Sequence, residues 1–285
     1  MSSVTLATVE KIIAEVASVE IMPRFQKLAA GDIEMKGVND PVTVADKAAE
    51  LALIRRLTDA FPGSVVVGEE GFASDPAILD RLGGEQDVWV IDPIDGTRHF
   101  IEGSPTFGVM IAQVRRGQTV AAWIHDPHTG DTLTAEQGGG VWLGGHKMRL
   151  AGHDPAISTV GLTGSKLRPF LLTSEVEQKL TGLPRLEQGA SAAFDYARFF
   201  TGDALFAQST QPRASFMMTY RRAMPWDHLP GLLMLAETGG YSACWGGDVY
   251  KAQQPVRGLI VTADESLYHR LSESLKEVFE SPGIP

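Results

Sequence analysis

The chain has 285 residues, 44% hydrophobic and 21% charged, with a formal net charge of −10 at pH 7. That length buries a large core, either as one big α/β domain or as two closely packed halves. The acidic balance argues against a broad nucleic-acid footprint, which needs clustered Lys and Arg, but not against a phosphorylated substrate, because bound metal ions can supply the positive charge.

Residues 4–30 read as a helix, with Val4, Ala7, Ile12, Val16, Val19 and Phe25 near helical spacing and Pro23 as a kink or break. Residues 31–43 carry Gly31, Gly37 and Asn39-Asp40-Pro41 and read as a loop or hairpin. A helix over 44–60 ends before Phe61-Pro62-Gly63. Ser64–Val67 is a short buried strand followed directly by Gly68-Glu69-Glu70-Gly71, and Val88–Ile91 is a strand running into Asp92–Thr97. Residues 106–136 form a meander that favours antiparallel pairing, and Gly138-Gly139-Gly140 with Gly144-Gly145 punctuates another hairpin. A composition change at 151–156 suggests two halves, 1–152 with the metal-binding residues and 153–285 completing the site. The second half alternates strands (Thr159–Leu162, Leu205–Ala207, Gly258–Thr262) with helices (Ser174–Thr181, Ala192–Phe200, Trp226–Thr238, Ser266–Phe279).

The one cysteine, Cys244, permits no intrachain disulfide and reads as a small buried apolar residue. Met1-Ser2-Ser3-Val4 lacks the charged region and apolar run of a signal peptide, and no stretch approaches a membrane span. A reducing cytoplasm is the expected compartment.

Three acidic features carry chemistry. Glu69-Glu70 lies just past one strand, Asp92 and Asp95 just past another, and Asp227 at the start of a helix. Carboxylates at the exposed ends of neighbouring strands can converge, and their repulsion is relieved by a hard divalent cation with oxygen ligands. In Asp92-Pro93-Ile94-Asp95-Gly96-Thr97 the proline stiffens the turn, so that Asp92, the Ile94 carbonyl and Asp95 can face one side. Gly96 permits close backbone approach, and Thr97 opens a helix whose free N–H groups suit phosphate. Taken singly, these acids have plainer roles: turn caps for Asp92 and Asp95, a solvated pair for Glu69-Glu70, a helix N-cap for Asp227.

The motifs in order resemble the inositol monophosphatase family. They are Lys36 with Asp40-Pro41-Val42-Thr43-Val44-Ala45-Asp46; Gly68-Glu69-Glu70; Trp89 to Thr97; Gly138-Gly139-Gly140; and Trp226-Asp227 followed by Glu237-Thr238-Gly239-Gly240. The resemblance implies a layered αβαβα sandwich of the inositol monophosphatase and fructose-1,6-bisphosphatase type (α/β, α+β), usually a homodimer, acting as a lithium-sensitive, Mg²⁺-dependent phosphatase on a small phosphorylated metabolite, with no nucleic acid and no membrane involved. By the same resemblance, Glu69, Asp92 and the Ile94 carbonyl bind one metal, and Asp92, Asp95 and Asp227 a second. A third, weaker ion sits near Glu69, with Asp46 acting through water. Thr97, paired with Asp46, orients and deprotonates the attacking water. Asp95, Gly96 and Thr97 form the phosphate cradle, and Ser191 and Ala192 border the substrate.

Two departures bear on the substrate. The family's Gly-Thr-x-Asn-Phe reads Gly96-Thr97-Arg98-His99-Phe100 here, where His99 is expected to make a structural polar contact. Seven residues before Asp227, where inositol-hydrolysing members carry Glu, stands Tyr220, followed by Arg221-Arg222. That leaves room for another phosphorylated polyol, histidinol phosphate, or a substrate with a second anionic group on an Arg, as in sugar bisphosphates or nucleotide 3′-phosphates. A regulatory binding protein on the same fold is the reading from another class. His228 is expected to support the metal ligands rather than to join them.

Overall fold

The computed structural model describes residues 3–37, 40–154, 156–164, 167, 171, 178–200, 211–255 and 257–279. The first helix, Ser3–Val16, runs into a single wide turn, Ala17–Ile21, closed by Met22 N donating to Ala17 O at 2.9 Å. The helix therefore stops well short of the residue 30 that periodicity suggests. Pro23 has no N–H to give one turn back and its ring crowds that carbonyl, so the preceding turn widens and the helix ends.

Strands β1 (Ile33–Gly37) and β2 (Asp40–Thr43) form an antiparallel hairpin leading into the helix Val44–Ala60. That helix starts with a reciprocal cap: the Thr43 hydroxyl accepts from Ala45 N and Asp46 N, and the Asp46 carboxylate accepts from Thr43 N.

A seven-stranded sheet follows, in the order β3 (Val65–Gly68), β4 (Asp87–Asp95), β5 (Gly108–Arg115), β6 (Gln118–His125), β7 (Thr132–Glu136), β8 (Gly140–Leu143) and β9 (His146–Lys147). Only β3 and β4 run parallel; the rest is the antiparallel meander that the short runs and turn residues imply. One face packs Trp89, Ile91, Ile111 and Trp123 against the two N-terminal helices through Val9, Ile13, Leu53 and Leu57. The other face, with Met110, Ala122 and Ile124, meets Met234 and Leu235 of the helix Pro225–Ala236.

The second sheet runs β11 (Leu186–Gln188), β10 (Thr159–Thr163), β12 (Arg213–Arg222), β14 (Arg257–Thr262), β13 (Tyr241–Cys244). Its inner residues Val160, Leu162, Met217, Leu259 and Val261 join the same core as Tyr196 and Met234. The helices Ala192–Ala197 and Pro225–Ala236 are thus sandwiched between the two sheets. Phe216, Met218 and Ile260 on the outer face pack on Leu267, Leu271 and Leu275 of the helix Glu265–Phe279. The order helices, sheet, helices, sheet, helix is the αβαβα sandwich. Cys244 is buried, as a small apolar residue should be.

Several expected elements shift. The helix predicted over Ala192–Phe200 closes at Ala197. The central strand β12 is not apparent from alternation, because Ala214 to Met218 are buried consecutively on both faces. The Leu205–Ala207 strand and most of the Ser174–Thr181 helix lie outside the described residues.

Candidate functional site

Parallel pairing puts the C-terminal ends of β3 and β4 side by side. Gly68 pairs with Ile91, so β4 runs four residues further, from Asp92 to Asp95. Against β5 the register jumps from Asp92↔Met110 to Asp95↔Gly108. Three steps on β4 oppose two on β5, a bulge at Pro93-Ile94, where proline's missing donor does least harm to the ladder. The Asp92 carboxylate folds back to accept from Ile94 N at 3.0 Å. Next comes Gly96 at φ 91°, ψ 36°, then the short helix Thr97–Ile101. A Cβ at Gly96 would stand 2.9 Å from Ser191 Cβ and 3.1 Å from Thr106 O, so both the conformation and the space demand glycine.

From the opposite side comes Asp227, in the first turn of the helix Pro225–Ala236. Asp92, Asp95 and Asp227 each offer an oxygen within 4.8 Å of the others, a trio able to hold a metal ion. Burial raises the Asp92 pKa well above the usual carboxylate range, and Glu69, Asp95, Asp227 and Asp46 push it further the same way. Asp95 is raised by burial too, but donors temper it: Ala193 N at 2.6 Å, the Ser191 side chain and Ala192 N, with His99 adding favourable charge.

Asp46 and Thr97 meet across 51 residues. Thr97 Oγ1 lies 3.1 Å from Asp46 Oδ1 and 3.1 Å from Ile94 O, so its one proton has two acceptors. The other Asp46 oxygen accepts from Thr43 N at 2.9 Å and Thr43 Oγ1 at 2.6 Å. Burial lifts the Asp46 carboxyl to about 6 against the pull of those bonds.

Glu69 opens the helix Glu69–Ser74 just past β3. Lys36 on β1 bridges it, Nζ donating to Glu69 Oε1 at 2.7 Å and Glu70 Oε1 at 2.8 Å. Glu69 is therefore near enough to raise Asp92, but its oxygens stand outside the 4.8 Å trio. Burial, opposed mainly by Lys36, brings Glu69 to about 7; burial lowers Lys36 and the two glutamates outweigh it, for a net rise.

The sequence matches the inositol monophosphatase family over residues 2–280. The chain belongs to that family. It is 31% identical over 217 residues to the fructose-1,6-bisphosphatase/inositol-1-monophosphatase of Thermotoga maritima, covering 76% of each chain. It is 31% identical over 227 residues to Nus factor SuhB of Salmonella typhimurium strain LT2, covering 77% of this chain and 78% of the relative. Among solved structures, an IMPase of Thermotoga maritima superposes with a TM-score of 0.76 at 26% identity, covering 97% of this chain and 98% of that one.

The residues expected to border an inositol monophosphatase substrate fare differently. Ser191 caps its helix, accepting from Phe194 N at 3.4 Å, and together with Ala192 it turns its polar groups to Asp95. The side chains of Tyr220 and Arg221 lie outside the described residues. Arg222 donates from Nε to Pro255 O at 2.9 Å, so that edge of its guanidinium is committed to the backbone. His228, fully buried and lowered to about 4 by burial, shares a 3.0 Å hydrogen bond between Nδ1 and the Tyr196 hydroxyl. A cleft of about 320 Å³ lined by Gln26, Leu28 and Phe100 to Gly103 includes none of the site carboxylates.

Two participants escape the sequence reading: Ala193 N on Asp95, and Glu50 behind the Glu69 helix. Lys36 stands in the family pattern and was legible as a motif residue. Ala193 acts through its backbone, which leaves no mark on residue type.

Proposed function

We propose that this chain is a Mg²⁺-dependent phosphatase that hydrolyses a small phosphate monoester by activating water. The observation that carries the reading is the trio of buried Asp92 and Asp95 with half-buried Asp227, beside the Thr97–Asp46 pair. After burial, the largest influences on Asp92 are other carboxylates. Such an all-oxygen, mutually repelling donor set suits a hard divalent cation.

Asp92, Asp95 and Asp227 would hold one ion. Glu69, Asp92 and the Ile94 carbonyl would hold another, which competes with Lys36 for Glu69 and with the Thr97 hydroxyl for the carbonyl. A third, weaker ion near Glu69 belongs to the same reading, with Asp46 acting through water. Such ions supply Lewis-acid activation of water and positive charge for the phosphoryl oxygens and the leaving group.

The chain's own residues do the rest. Thr97 Oγ1 accepts a hydrogen bond from the attacking water while donating to Asp46, which lines up the water and draws its proton inward. In the metal-free protein burial lifts Asp46 to about 6, toward the range a general base uses. The N–H groups of Gly96 and Thr97, with Asp95 alongside, face the phosphate at the helix start.

The substrate class rests on the relatives, one of whose names pairs a bisphosphatase with an inositol monophosphatase. The similarity to Nus factor SuhB favours a second reading, a regulatory role on the same fold. A cytoplasmic homodimer inhibited by Li⁺ belongs to the proposal through the family resemblance.

Phosphate release from a panel of monoesters and bisphosphates, with and without Mg²⁺ and Li⁺, tests it. The expected result is Mg²⁺-dependent, Li⁺-inhibited turnover of a monoester. Strong turnover of a bisphosphate with none of inositol phosphate would sink the monoesterase reading, and no release from any substrate would leave the regulatory reading standing.

A further inference from the structure

The helix Val44–Ala60 carries two buried carboxylates, Asp46 and Glu50, four residues apart and so on one face. Each serves a different wall of the site. Asp46 takes the Thr97 hydroxyl. Glu50 reaches the segment after β3: Oε2 accepts from Glu70 N at 2.9 Å and Oε1 from Gly71 N at 2.8 Å.

Those N–H groups are the second and third of the helix Glu69–Ser74, donors with no partner inside the helix. A serine or aspartate at the N-cap would normally meet them. The N-cap here is Gly68, which has no side chain to offer. Glu50 does that work from 20 residues away, with both oxygens engaged, so the clamp fixes direction as well as distance. Gly68 fits the same arrangement from below: a Cβ there would run into the Glu50 carboxylate. Strand end, glycine and the two following glutamates are thus seated on one buried side chain.

We propose that Glu50 is a positioning residue for the metal centre: by clamping Glu70 N and Gly71 N it fixes where the Glu69 carboxylate stands, and so sets the affinity for a divalent ion held with Glu69. This rests on the metal reading above. Glu50 touches neither substrate nor ion in it.

The test uses two variants that disturb the clamp from opposite sides. Glu50→Gln keeps the volume but turns an amide NH₂ toward one of the two N–H donors. Gly68→Ala pushes a methyl group into the carboxylate. Mg²⁺ binding to the metal-free protein is measured by calorimetry for wild type, Asp92→Asn and both variants, alongside the Mg²⁺ dependence of kcat and the melting temperature. The expected result is Mg²⁺ affinity about 10–100-fold weaker in both variants, the size typical of lost support behind a metal ligand. The Mg²⁺ needed for half-maximal activity rises in step, and kcat recovers at high Mg²⁺. A purely structural role would lower the melting temperature and leave affinity alone. Wild-type affinity in either folded variant, or a kcat loss that Mg²⁺ does not restore, would overturn the proposal. A wild type that binds no Mg²⁺ would instead overturn the metal reading on which it stands.

Discussion

Two glycine-flanked turns, both part of the family pattern, put the same groups to opposite uses. At the turn from β7 into β8, Gly138 and Gly140 have φ of 77° and 78°, and at the end of β4 Gly96 has φ 91°. Each turn meets acidic side chains. Glu237, just past the helix Pro225–Ala236, accepts from Gly138 N at 2.7 Å and from Gly140 N at 2.9 Å, one N–H for each oxygen. Its charge is answered by donors, and the contact pins the hairpin to the central helix layer. Asp92 accepts from Ile94 N and otherwise faces Glu69, Asp95, Asp227 and Asp46. A carboxylate met by N–H groups fastens the fold, whereas one met by carboxylates marks a place for a cation.

The largest expected effect comes from neutralising the repelled acid. Asp92→Asn should lower Mg²⁺-dependent phosphate release by roughly three orders of magnitude or more, about 4 kcal/mol of transition-state stabilisation. Because Asp92 is raised by burial and by its neighbours, its ionised form opposes folding at neutral pH. The metal-free variant should therefore melt above the metal-free wild type while gaining less from added Mg²⁺. Wild-type turnover in Asp92→Asn would show that the trio is not the centre of catalysis.

Glu237→Ala should behave in the reverse way. It removes two charge-assisted hydrogen bonds, a loss of about 2 kcal/mol of stability. Denaturant titration should register that loss, and turnover at saturating Mg²⁺ should stay within about a factor of two, since stability and chemistry separate when a residue touches no reacting group. A folded Glu237→Ala protein with collapsed turnover would break the comparison and move the β7–β8 turn into the active site.

How far the sequence discloses such differences depends on where the partners are. The helix Val44–Ala60 is legible because its stop signal, Phe61-Pro62-Gly63, is local. The Asp92–Thr97 turn was legible because proline, glycine and two acids in six residues leave few geometries. Strand β12 was not, because a strand buried on both faces loses the alternation that announces it, and Met217-Met218 looks equally helical. Ser191 and Ala192, expected to border the substrate, also turn polar groups to Asp95, about a hundred positions earlier, a contact that the sequence around them does not announce. Glu50 leaves no mark in the sequence because its partners are backbone N–H groups, which every residue type but proline shares.

A third test separates the fold from the site by pH. His125, at the end of β6, is buried, with Nδ1 2.9 Å from Thr132 Oγ1, and burial lowers its pKa to about 4. In the unfolded chain an imidazole titrates near 6.5. Between those values the unfolded state binds the proton and the folded state does not. The stability His125 contributes is thus complete above about pH 6.5 and is lost as pH falls toward 4, at up to about 1.4 kcal/mol per pH unit. Raised carboxylates work the other way: Asp195, lifted to about 7 by burial, costs stability as pH rises. Comparing wild type with His125→Gln in metal-free buffer cancels those opposing groups. Relative to wild type, the variant should gain unfolding free energy as pH falls from 6.5 to 4, while His228, also near 4 through burial, contributes equally to both curves. Parallel curves would mean that His125 takes up its proton without unfolding, and that this end of the sheet opens to water more readily than its packing implies.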